Sequence, residues 1–171
     1  MKVNPIIETN RLVLRNFKEG DIDILHSYRN NEICSKYQRW ENTSKAYLTN
    51  FIKEQSLKNF NDDSLQLAIA NKENDDLIGD IFIANKENCI TIGYTVDSKY
   101  HRKGYAYEII NALISYLFDN LKACEIVGLV HPDNEASKKL LEKLNFYSEG
   151  YVEKLDSIVY CLKNKWLILD I

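Results

Sequence analysis

The sequence predicts a single α/β domain: a mixed sheet with helices on its faces, in the element order βααβββαβαββ. Three observations carry this. Residues 65–96 hold three apolar runs separated by short polar connections, which is how an antiparallel meander reads. From Gly104 to Leu121 the pattern switches to a long helical period and is then followed by a strand; a strand–helix–strand crossover of this kind joins parallel strands. No repeat, low-complexity tract or linker divides the 171 residues, a length that suits one sizeable core.

In order, "RLVLRNF" (Arg11–Phe17) alternates polar and apolar residues and reads as a first strand. Asp21 is placed to cap a short helix in which Ile22, Leu25 and Arg29 fall at helical spacing. Thr43 or Ser44 opens a second helix with Tyr47, Leu48, Phe51 and Ile52 as its apolar stripe. The meander strands are Leu65–Lys72, Leu77–Lys86 and Cys89–Val96. The long helix turns Ala106, Ile109, Ile110, Leu113 and Leu117 inward. A strand (Glu125–His131), a helix (Asn134–Asn145, with Ala136, Leu140, Leu141 and Leu144 inward) and a closing hairpin complete the chain.

Apolar residues make up 45% and charged residues 27%, ordinary globular usage. Eleven tyrosines suit half-buried surfaces and ligand clefts, because each offers an apolar ring and a polar tip. The net charge of −3 argues against a general nucleic-acid binder. No apolar run approaches the ~18 residues of a membrane span, and "MKVNPIIETNRL" lacks a signal peptide's apolar stretch. The expectation is a soluble cytoplasmic protein with no membrane or nucleic-acid partner. Cys34, Cys89, Cys124, Cys161 and the three histidines keep no metal-ligand spacing, which predicts reduced, mostly buried thiols and no metal.

The chemistry concentrates in "YTVDSKYHRKGYAYEII" (Tyr94–Ile110). One of only six glycines stands at the mouth of the long helix, just after His101, Arg102 and Lys103. A helix N-terminus leaves N–H groups unpaired and carries a partial positive charge, so phosphates bind there. A glycine that merely turns the chain beside a solvated basic patch accounts for the same six residues, and a lone glycine before a helix is a weak signal.

Context favours the anion site. "IGYTVDSKYHRKGYAYE" followed by "VHPDNEASKKLLEKLNF" resembles the GCN5-related N-acetyltransferase (GNAT) superfamily. Its signature, Arg/Gln-x-x-Gly-x-Gly/Ala, is read here as His101-Arg102-Lys103-Gly104-Tyr105-Ala106, with His101 in place of the usual Arg or Gln. The second block fits the family's helix segment through Asn134, Ser137, Leu140, Leu144 and Phe146, with Asn145 in place of glycine. The start "ETNRLVLRNFKEGDID", together with Glu108, is similar to the RimJ/RimL-like branch.

The resemblance implies a sheet splayed between Cys89–Val96 and Glu125–His131, acetyl-CoA as cosubstrate, and direct attack by an amine on the thioester. Backbone groups of Tyr94 and Val96 would pair with the pantetheine arm, and the residue 101–106 loop would hold the pyrophosphate. A backbone N–H near Tyr94 or Thr95 would polarise the carbonyl. Asn134 would touch the arm, although it equally suits a helix N-cap. Ser137 would donate to the leaving thiolate. Glu153 and Asp156 are the candidate bases, with His26 and His131 behind them. Tyr37, Arg39, Trp40 and Glu41 would line an acceptor pocket.

The expected acceptor is a primary amine, on a protein N-terminus or a small molecule. The rival reading is an acetyl-CoA-binding module without catalysis. The apolar tail Lys165–Ile171 suits packing on the domain or on a second subunit, so both monomer and homodimer stay open.

Overall fold

The computed structural model describes residues 4–165; apart from Lys165, the apolar tail lies outside them. Eight strands form one open sheet in the order β1-β2-β3-β4-β5-β6-β8-β7. They are β1 (Ile7–Glu8), β2 (Leu12–Arg15), β3 (Ser64–Asn71), β4 (Leu77–Lys86), β5 (Cys89–Val96), β6 (Glu125–Val130), β7 (Tyr147–Val152) and β8 (Ser157–Lys163). The helices are α1 (Ile22–Arg29), α2 (Glu32–Ser35), α3 (Lys45–Gln55), α4 (Tyr105–Asp119) and α5 (Glu135–Lys143). Neighbouring strands are antiparallel except β5 and β6, which run parallel across the α4 crossover.

The predicted order is recovered with two additions, β1 and α2. Both are too short to show a period. Asn31 caps α2 by accepting from the Ile33 and Cys34 N–H groups. One expected cap is corrected: Asp21 makes no side-chain cap to α1. Its carboxylate instead takes two hydrogen bonds from the buried Arg15 guanidinium, at 2.8 and 3.0 Å. Ser44 does cap α3. Tyr47, however, is exposed, and the buried face of α3 is Leu48, Ile52 and Gln55.

The two faces of the sheet carry separate cores. On one, Leu25 and Tyr28 of α1 and Leu48 and Ile52 of α3 meet Phe17, Ala68 and Leu77. On the other, Ile109, Ile110, Leu113 and Leu117 of α4 cover Leu12, Leu14, Leu67, Ile69, Ile81 and Ile90. Each fully buried Leu or Ile contributes roughly 1.5–3 kcal/mol of hydrophobic stabilisation, so α4 is firmly held and its N-terminus fixed in space. Helix α5 lies close on β6: a Cβ at Gly128 would come within 2.8 Å of Leu141 Cδ1, so any larger residue there would have to displace that side chain. Helix α5 ends at Asn145 with φ 66. Phe146 N–H donates to the Leu141 carbonyl and Asn145 N–H to that of Glu142, both at 3.0 Å, the paired bonds of a Schellman end.

All four cysteines are free; Cys34 and Cys161 are buried, but Cys89 is half-buried and Cys124 exposed. No described helix is long and apolar enough to cross a membrane.

Candidate active site

The site begins where two parallel strands part. Strands β5 and β6 keep register over only four pairs, from Cys89 with Glu125 to Ile92 with Gly128. Beyond that point β5 stays with β4 as far as Val96, while β6 stays with β8 through Val130. Asp97 N–H donates to the Ile78 carbonyl at 2.8 Å. By the alternation of an antiparallel ladder, Tyr94 and Val96 therefore turn their backbone groups away from β4 and into the gap. Side chains already reach them: Gln38 Nε2 lies 3.4 Å from the Tyr94 carbonyl and His101 Nε2 2.8 Å from that of Val96.

A cavity of about 700 Å³ fills this gap. It runs from the mouth of α4 (His101, Arg102, Ala106) past Tyr94 and Val96 to the start of α5 (Asn134, Ser137). Gly104 caps α4 with φ 77, and a Cβ there would meet only Arg11 Nη2 at 3.5 Å, so its surface is open to close approach. The first helical hydrogen bond runs from Glu108 N–H to the Gly104 carbonyl at 3.1 Å. The N–H groups of Tyr105, Ala106 and Tyr107 thus have no helical acceptor, which is the arrangement that receives an anion.

Within that turn the side chains divide. His101 is committed to the Val96 carbonyl. The Lys103 ammonium sits 5.4 Å over the Tyr100 ring, and the Tyr105 ring lies under the Arg11 guanidinium at 4.5 Å. Lys103, Gly104 and Tyr105 belong to the turn without lining the cavity. Asn134 caps α5, its Oδ1 accepting from Ser137 N–H at 3.2 Å, and also lines the cavity. The Tyr94 hydroxyl is fully buried beside the Ser137 side chain. Burial pushes this phenol up to about 12, with Ser137, which faces it, pulling it back in part.

A second cavity of about 460 Å³ adjoins the first. Tyr37, Gln38, Tyr94 and Thr95 border both. Tyr37, Arg39 and Trp40 line it, whereas Glu41 is exposed and outside it. Its buried carboxylate is Asp80, which accepts from Tyr28 Oη and Gln66 Nε2 and lies 3.5 Å from Arg29 Nη2. The Arg29 guanidinium is sandwiched between the Trp40 and Phe51 rings at 4.8 and 4.7 Å. Sequence reading passed over Asp80. The available signal was a carboxylate inside the otherwise apolar run "LIGDIFI".

The structure brings neither Glu153 nor Asp156 to either cavity. They sit in the exposed turn between β7 and β8, where Asp156 accepts from the Tyr151 hydroxyl at 2.9 Å. Arg39 donates to the Leu155 and Asp156 carbonyls, tying this turn to the loop before α3. His131 lines the second cavity, but its Nδ1 accepts from the Asp133 N–H at 3.1 Å. His26 lines neither cavity. Away from the cavities, Glu125, Glu149 and Cys161 bring ligand-type atoms within 4.8 Å of one another. Sequence spacing could not show this cross-strand group. Burial, then the two carboxylates, pushes the Cys161 thiol up to about 12, which keeps it protonated.

The site is thus an open mixed sheet parted at one parallel pair beside a helix mouth whose first N–H groups are free of helical acceptors. A family profile for the acetyltransferase (GNAT) domain matches residues 11–147, and the chain belongs to that family. It is 30% identical over 154 residues to YoaA of Bacillus subtilis, described as an uncharacterized N-acetyltransferase, covering 88% of this chain and 87% of that one. It superposes on RimL, a ribosomal L7/L12 alpha-N-protein acetyltransferase, with a TM-score of 0.83 at 18% identity, over 96% of each chain. Mycobacterium smegmatis RimJ in complex with CoA-disulfide superposes with a TM-score of 0.81 at 16% identity, over 96% of this chain and 88% of that one. At these identities the two structures show a shared fold. The chain is thus an N-acetyltransferase of the GNAT family.

Proposed function

We propose that this enzyme moves the acetyl group of acetyl-CoA to a primary amine, entering the protein from opposite ends of the two joined cavities. The observation that carries this is the parting of β5 from β6 after Ile92 and Gly128, which leaves the edge at Tyr94 and Val96 facing a cavity that ends at the α4 mouth. The N–H groups of residues 105–107 suit the pyrophosphate, with Arg102 beside them. The β5 edge suits an amide-bearing arm lying like an added strand. Asn134 and Ser137 sit where the far end of that arm would reach.

The acceptor enters by the second cavity. Its aromatic walls and the Asp80 carboxylate suit an amine that arrives as an ammonium ion. With no carboxylate of the closing hairpin at hand, the amine loses its proton to Asp80 or to water in the cavity. A terminal amine of a peptide or a small free amine fits this opening, in the cytoplasm where acetyl-CoA is available and four free thiols persist.

Calorimetric titration with CoA, together with product masses after incubation of acetyl-CoA with peptides, polyamines, amino acids and aminoglycosides, tests the proposal. Binding with transfer to an amine is expected. Tight CoA binding without transfer to any amine would favour the non-catalytic module, and absence of CoA binding would overturn both.

A further inference from the structure

We propose that Arg39 recognises a carboxylate on the acceptor, and that the preferred acceptor is a peptide N-terminus followed closely by an acidic residue. The proposal rests on the reading of the second cavity as the acceptor site and deepens it.

The chain has five arginines. Arg11, Arg15 and Arg29 each lie against a carboxylate, on Glu108, Asp21 and Asp80 respectively. Arg39 and Arg102 make no ion pair among the described residues. These two are the arginines that line the cavities, Arg102 the first and Arg39 the second. Arg102 stands beside the N–H groups that suit a phosphate. Arg39 is its counterpart on the acceptor side, a guanidinium with no protein anion.

Arg39 is exposed at the rim, yet it is held in place. Its Nη2 donates to the Leu155 carbonyl, to the Asp156 carbonyl at 3.2 Å and to Ser157 Oγ at 3.1 Å. Its Nε and Nη1 donate to no described residue. A guanidinium already fixed loses little further freedom on binding, and its remaining N–H groups match a carboxylate.

The charges around the cavity favour the same ligand. Asp80 lines it, but Arg29 Nη2 lies 3.5 Å from that carboxylate and offsets it. His131 brings no fixed charge, since its Nδ1 accepts from the Asp133 N–H. Arg39 therefore leaves the site net positive. An acceptor with several amines and no acid meets that charge unfavourably, whereas one that joins an amine to a carboxylate balances it.

The spacing selects among such acceptors. Asp80 on β4 and Ser157 on β8 flank the parted pair, in the sheet order β4-β5-β6-β8. Three strand spacings separate them, about 14 Å between backbones, before the parting adds to it. Asp80 and Arg39 thus reach in from opposite sides. The two ends of a free α-amino acid, separated by one carbon, are too close together to meet both. A terminal amine and an acidic side chain on the next residue or the one after lie farther apart and suit this span. Phe82 and Leu129, both partly exposed on the same wall, give an extended peptide apolar surface to lie on.

The test uses C-terminally amidated peptides that differ only at the second and third residues, with Glu, Gln or Lys there. Thiol release from acetyl-CoA gives the rate, and product mass places the acetyl group on the terminal amine. In the wild type, kcat/KM for the Glu peptide is expected to exceed that for the Gln peptide about five- to tenfold, the worth of a charge-assisted contact at an exposed rim. The Lys peptide should be the poorest. The advantage should reside in KM and shrink as salt is raised. Arg39→Gln should bring the Glu and Gln peptides to about the same kcat/KM, and Arg39→Lys should keep part of the preference.

Equal use of the Glu and Gln peptides by the wild type would overturn the proposal while leaving acetyl transfer intact. So would an unaltered preference in Arg39→Gln with activity lowered on every peptide, because Arg39 would then only tie its loop to the β7–β8 turn. If Arg39→Gln fails to fold, the wild-type comparison and its salt dependence still decide. Small ω-amino acids used in preference to every peptide would overturn the peptide assignment. Failure of all amines to accept an acetyl group would sink the underlying transferase reading, and the proposal with it.

Discussion

Arg11 and Glu108, 97 residues apart in the chain, are joined by a 2.7 Å ion pair from Arg11 Nε to Glu108 Oε2. The same carboxylate accepts from Thr9 Oγ1 at 2.6 Å and from the Arg11 N–H at 2.8 Å. Arg11 Nη1 reaches on to the Lys103 carbonyl at 3.0 Å. The turn before β2 thereby clamps the first turn of α4 and the loop that precedes it. Thr9, Arg11 and Glu108 were separate points of family resemblance; in the fold they are one device that holds the mouth of α4 in shape.

Arg11→Ala is therefore expected to weaken CoA binding several-fold although Arg11 lines neither cavity. The ion pair is partly exposed, 42% at Arg11, so the direct loss of stability should be small, about 1 kcal/mol or less. Calorimetry and thermal melts on the same variant separate the two effects. Unaltered CoA affinity would reduce the clamp to a surface contact.

Gly104 and Asn145 make a controlled pair. Both hold left-handed backbone, at φ 77 and 66, but only Gly104 stands at the cavity mouth. Alanine at either position should cost about 1–2 kcal/mol in stability. Only Gly104→Ala should also lower CoA affinity beyond that cost, because its methyl group occupies the approach to the α4 N–H groups. Equal CoA affinity in the two folded variants would rule out this mouth as the phosphate cradle.

Ser137→Ala should reduce turnover roughly a hundredfold, the usual cost of removing a donor to developing charge, with a much smaller change in CoA affinity. Steady-state kinetics beside a binding isotherm decides it, and turnover within about twofold of wild type would return Ser137 to an N-terminal surface role on α5.

In the acceptor cavity, Asp80→Asn should raise KM for the amine while leaving CoA affinity unaltered, because Asp80 borders only the second cavity. Glu153→Gln and Asp156→Asn should each keep turnover within about twofold, since neither side chain reaches a cavity. A collapse of kcat in either hairpin variant would restore these residues as the base.

Acid should unfold the protein through its paired carboxylates. Burial pushes Asp75 up, but hydrogen bonds from Lys18 and Arg15 outweigh it and hold the group below its ordinary range. Glu108 behaves likewise: burial raises it, and bonds from Thr9 and Arg11 bring it lower. A depressed folded value means stability that is fully present above the unfolded value, near pH 4 to 5, and is lost as pH falls through the folded values beneath it. Melting temperature against pH should be level near neutrality and fall below about pH 4. Arg15→Ala, which strands the buried Asp21, should cost about 3–5 kcal/mol at neutral pH and flatten the acid limb.

Much of the fold was legible in one dimension because its signals are local. The period of α4, the polar connections of the meander and the turn residue Asn145 each depend on neighbours a few positions away. The residue 101–106 loop was legible for the same reason: a strand, basic residues, one glycine and a helix follow one another directly. The contacts that complete the site are of another kind. Asp80, Gln66 and Tyr28 come from two strands and a helix, and Tyr94 meets Ser137 only because α5 folds back over the parted strands. Glu153 and Asp156 show the same dependence: Arg39 ties their turn to the rim of the second cavity, whose lining includes Ser157 but neither carboxylate. The sequence determined the strand and helix order and the glycine turn that opens α4, because hydrophobic period and backbone preference act over a few residues. Tertiary structure alone decided which side chains line the cleft, because those positions depend on where packed elements bring distant residues together.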